Sequence, residues 1–320
     1  MTAMRPRIFA GWWVVAGAFL CMFVGYAVAY SFAAFFGALE SEFGARRGET
    51  SLVFSISAFL YFLLGFPGGL IADRTGPRPL VVGGLALVAA GLVVASRATT
   101  LWQVYLGYGL GVGFGVGLSY VPSIAAVQRW FVRRRGTASG IAVAGIGVGT
   151  LVGAPLAHEL IAVLGWRQTY LVLAAIVVVG AIVAGILVRR GPEHYGLAPD
   201  GDAAPPVAAG SVAAGLTLGQ ALRSRPFWAI YAGALFMSFG LFVPFVHLAP
   251  YARDVGLGEG FGVMLIVLLG VGSTAGRFLF ASFTGWLGRR LSFAMMYIGA
   301  GVMLVVWSQS TSAPALIAFA

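Results

Sequence analysis

Long apolar segments, separated by short polar or basic turns, run along most of the chain. An α-helix needs about 20 residues to cross the roughly 30 Å hydrocarbon core of a bilayer. Nine segments reach about that length, and a tenth begins near Ala313. Their approximate bounds are 11–37, 51–72, 80–96, 101–127, 137–161, 168–188, 226–251, 260–286 and 291–308. The pattern predicts an all-α integral membrane protein with nine spans and the start of a tenth.

Composition excludes several other classes of protein. Of the 320 residues, 60% are hydrophobic and only 9% are charged, which is more apolar side chain than a water-soluble interior of this size can hold. The single cysteine, Cys21, excludes a disulfide framework. Catalysis would require a nucleophile beside a base, or a metal cluster, and the apolar spans show neither pattern. The sequence therefore predicts a membrane protein that is not an enzyme and that holds no metal or cofactor.

The net charge is strongly positive and is carried by arginine alone. The chain has a net charge of +10, and every one of its 20 basic residues is an arginine. With the N-terminus on the cytoplasmic side, fourteen arginines fall in cytoplasmic segments, five in outer loops and one, Arg277, inside a span. Arginines near the ends of spans set membrane orientation. Topology explains this charge better than nucleic-acid binding does, so we expect a cytoplasmic N-terminus and no nucleic-acid partner.

Two short segments of the first half recur in the second half at nearly the same offset. WVVAGAFLCMFVG (13–25) aligns with WAIYAGALFMSFG (228–240), and ADRTGPR (72–78) aligns with TGWLGRR (284–290). Six predicted spans precede the second copy. This is the layout of a transporter built from two parallel six-helix repeats, with its site between them.

The repeat divides the chain into three parts. Residues 1–190 are predicted to form the N-terminal six-helix bundle, and residues 226–320 an incomplete C-terminal bundle. Between them, the segment 191–225 is rich in Pro, Gly, Asp and small residues, as mobile loops are. Its last part, from residue 216, reads as a short amphipathic helix on the cytoplasmic surface.

One short basic turn identifies the family that the chain resembles. GGLIADRTGPRP (68–79) resembles the inner-loop motif G-x-x-x-D-R-x-G-R-R of the major facilitator superfamily, with Pro77 in place of the first arginine of the final pair. The matching residues are Gly69, Asp73, Arg74, Gly76 and Arg78. Residues 130–149, 192–202 and 247–257 resemble the bacterial monocarboxylate transporter and oxalate:formate antiporter group. The resemblance implies secondary transport across a bacterial inner membrane, by a fold of two six-helix repeats.

The same resemblance gives the basic turn a function. In the superfamily this cluster latches the cytoplasmic side in the outward-open state, so Asp73 is expected to pair with arginines such as those at 133–135. Gly69 would let the second and third spans approach closely, and Gly76 would tighten the turn. The alternative is that Arg74 and Arg78 only orient the chain in the membrane.

Glycines repeat every four residues in two spans. Gly145, Gly149 and Gly153 lie on one helix face of the fifth span, and the fourth span carries a similar row from residue 107 to residue 115. Small residues at this spacing let helix backbones approach within lipid. A nucleotide-binding loop is the alternative, but no G-x-G-x-x-G motif fits these residues. We expect helix packing.

Arg277 is the strongest candidate for binding cargo. It lies about 12 residues from Arg289, or about 18 Å at 1.5 Å per residue, which is too far for snorkelling. All ten carboxylates lie in loops or at span ends, so none is placed to neutralise Arg277. A guanidinium can hold a carboxylate through two parallel hydrogen bonds. In the monocarboxylate group, an arginine of the eighth span binds the substrate carboxylate, and Arg277 matches it. The alternative is a structural arginine bonded to backbone carbonyls, or to an acid in the spans expected to be missing from the second bundle.

Several other polar residues are weaker candidates for the same site. Tyr120 in the fourth span could donate a hydrogen bond to a carboxylate, and Tyr26 and Tyr30 could line the same cavity, although aromatic residues in spans often serve packing alone. His247 could transfer a proton, or it could only shape the outer gate. Residues 253 and 254 are predicted to lie on the surface of an outer loop.

The mode of transport stays open at this stage. Animal relatives of the group carry an acid where this chain has Ser273, and a first-span lysine that it lacks. Proton symport through His247, or through the cargo acid itself, is one expectation, and exchange of two anions is another. Efflux of other cargo by the same fold is a further alternative. The partners expected are a small organic anion, a proton and the lipid bilayer, with the protein as a monomer. Because the superfamily has twelve spans, the sequence is expected to be truncated within its second bundle.

Overall fold

The structure, a computed structural model, describes residues 9–201 and 218–320. Within those ranges it does not describe the side chains at 66, 218, 221, 259, 277–286 and 289. Much of the predicted linker, residues 202–217, therefore lies outside the described residues.

Nine α-helices and one π-helical turn make up the first half of the chain. The turn, Tyr105–Leu110, lies between the sixth and seventh helices and continues them. The helices are α1 Gly11–Tyr30, α2 Phe32–Phe43, α3 Arg47–Leu63, α4 Gly65–Thr75, α5 Pro77–Ser96, α6 Leu101–Val104, α7 Gly111–Trp130, α8 Arg135–Leu164 and α9 Trp166–Leu187.

Six further helices follow in the second half. They are α10 Leu218–Leu222, α11 Arg225–Leu241, α12 Val243–Asp254, α13 Glu259–Leu287, α14 Arg289–Gln309 and α15 Ala313–Phe319. Short 3-10 turns, Pro192–Tyr195 and Pro199–Gly201, lie before the undescribed part of the linker. No strand occurs within the described ranges, so the expectation of an all-α fold is confirmed there.

The helices confirm a multi-pass membrane protein. Among the described residues, seven continuous helical segments are long and apolar enough to cross a bilayer. They are α1 with α2, α5, α6 with α7, α8, α9, α11 with α12, and α14. The count is eight if α3 and α4 form one bent span. The predicted span 51–72 is divided between these two helices. The predicted span 260–286 coincides with α13, although many of its side chains are not described. The count of nine spans and a tenth stays a prediction.

Glycines on α8 set its contact with α1. A Cβ placed at Gly145, Gly149 or Gly153 would meet a backbone carbonyl of α1. The carbonyls are those of Phe19, Phe23 and Ala27, which are themselves four residues apart. Two rows with the same spacing therefore face each other, and the missing side chains let the helix axes approach.

Gly69 packs differently from the expectation. A Cβ at this position would lie 3.4 Å from the side chain of Val121. Val121 belongs to α7, the fourth span, so Gly69 does not bring the second span against the third. The third and fourth spans approach each other elsewhere, where Gly91 of α5 faces Gly111 of α7.

The bundle has two ends with different chemistry. At one end lie the turns after α4 and α7 and the segment after α9, with residues 74–78, 129–135 and 188–201; we call this the arginine-rich end. At the other end lie residues 40–47, 97–100, 165–167 and 253–258; we call this the far end. Helices run alternately between the two ends.

The first part of the linker is docked on the bundle and is not a free loop. Asp200 has a left-handed backbone with φ 61°, and its carboxylate accepts hydrogen bonds from three consecutive backbone N–H groups, those of residues 132–134. The Tyr195 ring packs 6.0 Å from that of Trp130. These contacts hold residues 192–201 against the end of α7 and the start of α8.

The two halves meet mainly through α8 and α13. A Cβ at Gly147 would collide with the Thr274 hydroxyl, and a Cβ at Gly270 would meet the backbone of Gly147 and Leu151. Helix α12 packs in addition against α2. The boundary between the halves is therefore formed mainly by α2, α8, α12 and α13.

Candidate functional site

Four tyrosines from three helices of the first half meet in one cluster. The Tyr26 ring lies 5.4 Å from that of Tyr30, 6.0 Å from that of Tyr61 and 5.9 Å from that of Tyr120. Tyr26 and Tyr30 are one helical turn apart on α1, so their side chains share a face. The three tyrosines singled out from the sequence are thus neighbours, with Tyr26 at the centre.

Second-half residues close the tyrosine cluster. The Phe245 ring of α12 stacks on Tyr30 at 4.3 Å with an interplanar angle of 20°. The Phe242 ring lies 6.5 Å from Tyr61. The cluster therefore lies at the boundary between the two halves, where a transporter of two repeats binds its cargo.

Tyr61 is the member of the cluster that sequence reasoning missed. It lies in the apolar run FLYFLL of the second predicted span, and residue type was the only available signal. Its side chain is 5% exposed. Its hydroxyl is close to Tyr30, but it makes no hydrogen bond of good geometry to any described residue. A buried hydroxyl in that situation has free capacity for a polar ligand.

The Arg277 side chain lies outside the described residues, but its place on α13 follows from the helix. Gly270 and Thr274 mark the face of α13 that packs on α8. Residue 277 follows them by seven and three positions, and residues at those spacings share one face of an α-helix. The Arg277 position therefore lies on the face of α13 toward the first half, ten residues before that helix ends at Leu287.

The described carboxylates are all far from the middle of the helices. Each lies within two turns of a helix end or in a connecting segment, and most are paired with a nearby cation or capped by backbone. They are Glu40, Glu42, Glu49, Asp73, Glu159, Glu193, Asp200 and Asp254. The described part of the chain thus places no carboxylate at the level of residue 277.

His247 lies apart from the tyrosine cluster. It is half-buried on α12, and its ring centroid is 6.2 Å from that of Phe36 on α2. It stands seven residues before the far end of α12. The structure places it in the contact between the two halves, between the cluster and the far end.

Ion pairs join the two halves at the far end. Arg47 of α3 donates two hydrogen bonds to the Asp254 carboxylate of α12, at 2.6 and 2.7 Å. Arg253 donates to Glu40 of α2 at 3.2 Å. The expectation that residues 253 and 254 form plain loop surface is wrong in this respect. Both are exposed, but both bind the opposite half.

The basic turn at the arginine-rich end makes its ion pair within the first half. Asp73 accepts a hydrogen bond from Arg129 of α7 at 2.7 Å. Of the expected partners at 133–135, Arg133 and Arg134 instead donate their backbone N–H groups to Asp200, and the Arg135 guanidinium donates to the Phe131 carbonyl. Gly76 has φ 86°, a conformation that favours glycine. Arg74 and Arg78 form no ion pair with a side chain that the structure describes.

A family model described as Major Facilitator Superfamily matches residues 18–320. The chain is 33% identical over 282 residues to Monocarboxylate transporter 11 of Homo sapiens, a match covering 87% of this chain and 56% of that protein. It is 31% identical over 278 residues to Monocarboxylate transporter 13 of Bos taurus, covering 87% and 61%. It is also 29% identical over 287 residues to the MFS-type transporter pytF of Aspergillus terreus, covering 88% and 91%.

A solved structure shares the fold. It is a bacterial homolog to the human lysosomal transporter Spinster, in an inward-facing and unoccupied conformation. The TM-score is 0.72 at 18% identity, with 99% of this chain and 72% of that chain covered. The chain spans 56% and 61% of the length of the two monocarboxylate transporters.

Proposed function

The chain belongs to the major facilitator superfamily, and on that basis we propose that the protein is a secondary transporter of a small monocarboxylate, of the size of lactate or pyruvate. One observation carries the proposal. The Arg277 position lies in the middle of a membrane helix, on its face toward the first half, and no described carboxylate lies at that level. The similarity to relatives named monocarboxylate transporters supports the same cargo.

The energetics of a buried guanidinium support an anionic cargo. A charge in the membrane interior is costly unless an opposite charge or water compensates it. A carboxylate that accepts two parallel N–H bonds from Arg277 would compensate the charge and fix the orientation of the acid. Because the anion leaves at each transport cycle, the arginine would alternate between a bound and a hydrated state.

The tyrosine cluster is proposed as the opposite wall of the binding site. Tyr120 and Tyr61 would donate hydrogen bonds to the carboxylate or to a neighbouring oxo group, while the rings of Tyr26 and Tyr30 would pack on the carbon chain. An apolar wall with a few placed donors is the usual composition of a small-molecule site. It would favour a short acid with one charge over a second carboxylate.

Coupling to protons is proposed through His247, which lies in the contact between the halves. Histidine is the side chain that changes charge near neutral pH. Exchange of two anions is the second candidate, because Ser273 stands where animal relatives carry an acid and the chain has no lysine. Efflux of other cargo by the same fold would not explain an arginine at a level where the described residues place no acid.

Alternating access is proposed to use the two ends of the bundle as gates. The ion pairs from Arg47 and Arg253 would hold the far end closed in this conformation. The moving units are proposed to be the bundles 1–190 and 226–320, joined by the linker 191–225. Since arginines concentrate on the cytoplasmic side of membrane proteins, the arginine-rich end and the N-terminus are proposed to face the cytoplasm of a bacterium.

Uptake by the reconstituted protein tests the cargo. Labelled lactate, pyruvate, formate or oxalate would be added in turn to the solution outside the liposomes. Arg277→Ala should lower uptake of the preferred acid at least tenfold, as expected for about 1.5–3 kcal/mol lost with a charged hydrogen-bonding partner. Arg277→Lys should retain part of it, because it keeps the charge without the bidentate geometry. The matched control is Arg97→Ala, an exposed arginine at the far end.

The same assay separates the alternatives. An imposed pH gradient should accelerate uptake under symport, whereas unlabelled acid inside the liposomes should accelerate it under exchange. Unchanged uptake in both Arg277 variants would remove the assignment of that residue. Uptake of none of the four acids by the wild-type protein would remove the proposed cargo class.

A further inference from the structure

A cavity of about 600 Å³ opens at the arginine-rich end of the first half. It lies where α5 begins and where α9 ends, so it is at the level of the membrane surface. It is separate from the tyrosine cluster and from the Arg277 position. Its lining consists of Thr75, Arg78, Pro79, Ile186, Val188, Arg189, Arg190 and Tyr195.

Three arginines give this cavity an excess of positive charge. None of Arg78, Arg189 and Arg190 forms an ion pair with a side chain that the structure describes. Arg190 donates to the Thr75 carbonyl at 2.7 Å, and the Arg189 guanidinium lies 5.7 Å from the Tyr195 ring centroid. These contacts position two of the guanidinium groups without neutralising them.

Two of the three acids nearest to these arginines along the chain are engaged elsewhere. Asp73 is paired with Arg129 at 2.7 Å, and Asp200 is bonded to the backbone at the start of α8. The third, Glu193, is an exposed carboxylate 3.5 Å from the His194 ring, and it is a single negative charge against three guanidinium groups. The cavity therefore has an uncompensated charge that an anion of two or more oxygens would satisfy.

An exposed apolar stripe leads from the membrane interior to the cavity. Val179, Ile182 and Ile186 of α9 are 62%, 58% and 61% exposed, and they recur at helical spacing on one face. Ile186 also lines the cavity. The site is thus apolar on its membrane side and cationic at its surface side, as an amphiphile with an anionic head requires.

We propose that this cavity binds an anionic phospholipid of the adjacent leaflet. The phosphate would be held by Arg78, Arg189 and Arg190, and one acyl chain would lie along the stripe on α9. Basic pockets between membrane helices at the surface are known to suit anionic head groups. A bound lipid would join the turn before α5, which follows Asp73, to the segment that begins the linker. The inference does not depend on the cargo.

Native mass spectrometry of the purified protein tests the site. Phosphatidylglycerol and phosphatidylcholine would be added in turn, and the bound fraction measured. The wild-type protein should bind phosphatidylglycerol more tightly. The triple variant Arg78→Gln, Arg189→Gln and Arg190→Gln should lose at least about tenfold in that affinity, because each arginine near the surface attracts anionic lipid. Affinity for phosphatidylcholine should not change.

A matched control removes the same charge elsewhere. Arg97, Arg223 and Arg225 are exposed and lie outside the cavity lining, so their triple change to Gln should leave phosphatidylglycerol binding within about twofold of wild type. Equal loss in both triple variants would reduce the effect to net charge and overturn the proposal. Single changes at the three cavity arginines serve if the triple variant does not fold.

A second variant separates a lipid from a free phosphate. Ile186→Asn keeps the arginines but interrupts the stripe, so it should weaken phosphatidylglycerol binding severalfold. Inorganic phosphate and glycerol phosphate, added at millimolar concentration, should displace little lipid. Efficient displacement by inorganic phosphate, together with unchanged lipid binding in the Ile186 variant, would show a soluble-anion site and overturn the lipid assignment.

Discussion

The two ends of the bundle use the same ion-pair chemistry in different ways. At the far end, Arg47 binds Asp254 and Arg253 binds Glu40, and each pair joins helices of opposite halves. At the arginine-rich end, Asp73 binds Arg129 within the first half. Among the described residues, charges thus tie the halves together at one end only.

This difference indicates which contacts must break during transport. An exposed ion pair contributes about 0–1 kcal/mol, because solvent screens the charges and both side chains lose freedom. In the pair of Arg47 and Asp254, the side chains are 46% and 41% exposed. A few such pairs can bias the far end toward closure and still open on a transport time scale. Stronger contacts, through glycines, hold each half together.

The largest expected effect comes from the glycines that lie between the two ends. Gly149→Leu would press a side chain against the Phe23 carbonyl within the first half. We expect a loss of about 2–3 kcal/mol in the free energy of unfolding, as overpacking produces. The measurement is thermal unfolding of the purified protein. Gly147→Leu meets Thr274 of the opposite half, so it should separate the halves and lower the unfolding temperature less.

Gly140 provides the control for both glycine variants. It belongs to the same helix, and a Cβ there meets no atom within 4 Å. Gly140→Leu should leave the unfolding temperature close to that of the wild type. Leucine has a higher helix propensity than glycine, so if Gly140→Leu destabilised as much as Gly149→Leu, added side-chain bulk anywhere on α8, and not the close approach to α1, would explain the loss.

Removing the ion pair between Arg47 and Asp254 at the far end is expected to have a smaller effect, on the opening of that end. Asp254→Ala should shift the equilibrium toward an open far end by about fivefold, which corresponds to about 1 kcal/mol. The rate of maleimide labelling at Ala33→Cys measures this shift, because Ala33 is 2% exposed and lies beside Ala249 of α12. The background would carry Cys21→Ala. The charge swap Arg47→Asp with Asp254→Arg should restore the slow rate.

Asp73→Asn tests whether the two ends really differ. It removes a pair that lies within one half, so labelling at Ala33→Cys should change less than in Asp254→Ala. A larger change in Asp73→Asn would mean that the pair with Arg129 controls the far end indirectly. The two ends would then not act independently.

The smallest expected effect concerns the pH dependence of the linker contact. Partial burial raises the pKa of Asp200, but hydrogen bonds from the backbone of Arg133, Val132 and Arg134 outweigh this, so the pKa lies below its ordinary value of 3.8. A lowered pKa in the folded state means that the contact is fully stabilising above that ordinary value and weakens as the pH falls through the lowered one.

Hydrogen exchange of the amides at 132–134 measures this effect. Their protection should be constant between pH 7 and about pH 5, after correction for the intrinsic rate, and should decrease at more acidic pH. Asp200→Ala should remove the protection at every pH. Protection that persists in this variant would show that other contacts hold the segment.

Much of the fold could be predicted from the sequence, because apolar length is a local property. Each predicted span falls on one helix or on consecutive helical segments of the described chain. The candidate site was only partly predictable. Tyr26, Tyr30 and Tyr120 were recognised as polar groups in apolar spans, and the structure brings them together. Tyr61 and Arg129 were missed, since nothing local distinguishes them from residues that pack or orient the chain.

The sequence by itself determined a membrane protein of many spans, the uneven distribution of its arginines and the depth of Arg277 in its helix. These features depend on the number and order of residues, because a helix rises by a constant length per residue. Only the tertiary structure decided which helix each glycine faces, which arginine binds Asp73 and which half of the molecule Asp254 binds. Such pairings depend on how helices distant in sequence cross, and neither hydropathy nor spacing records that.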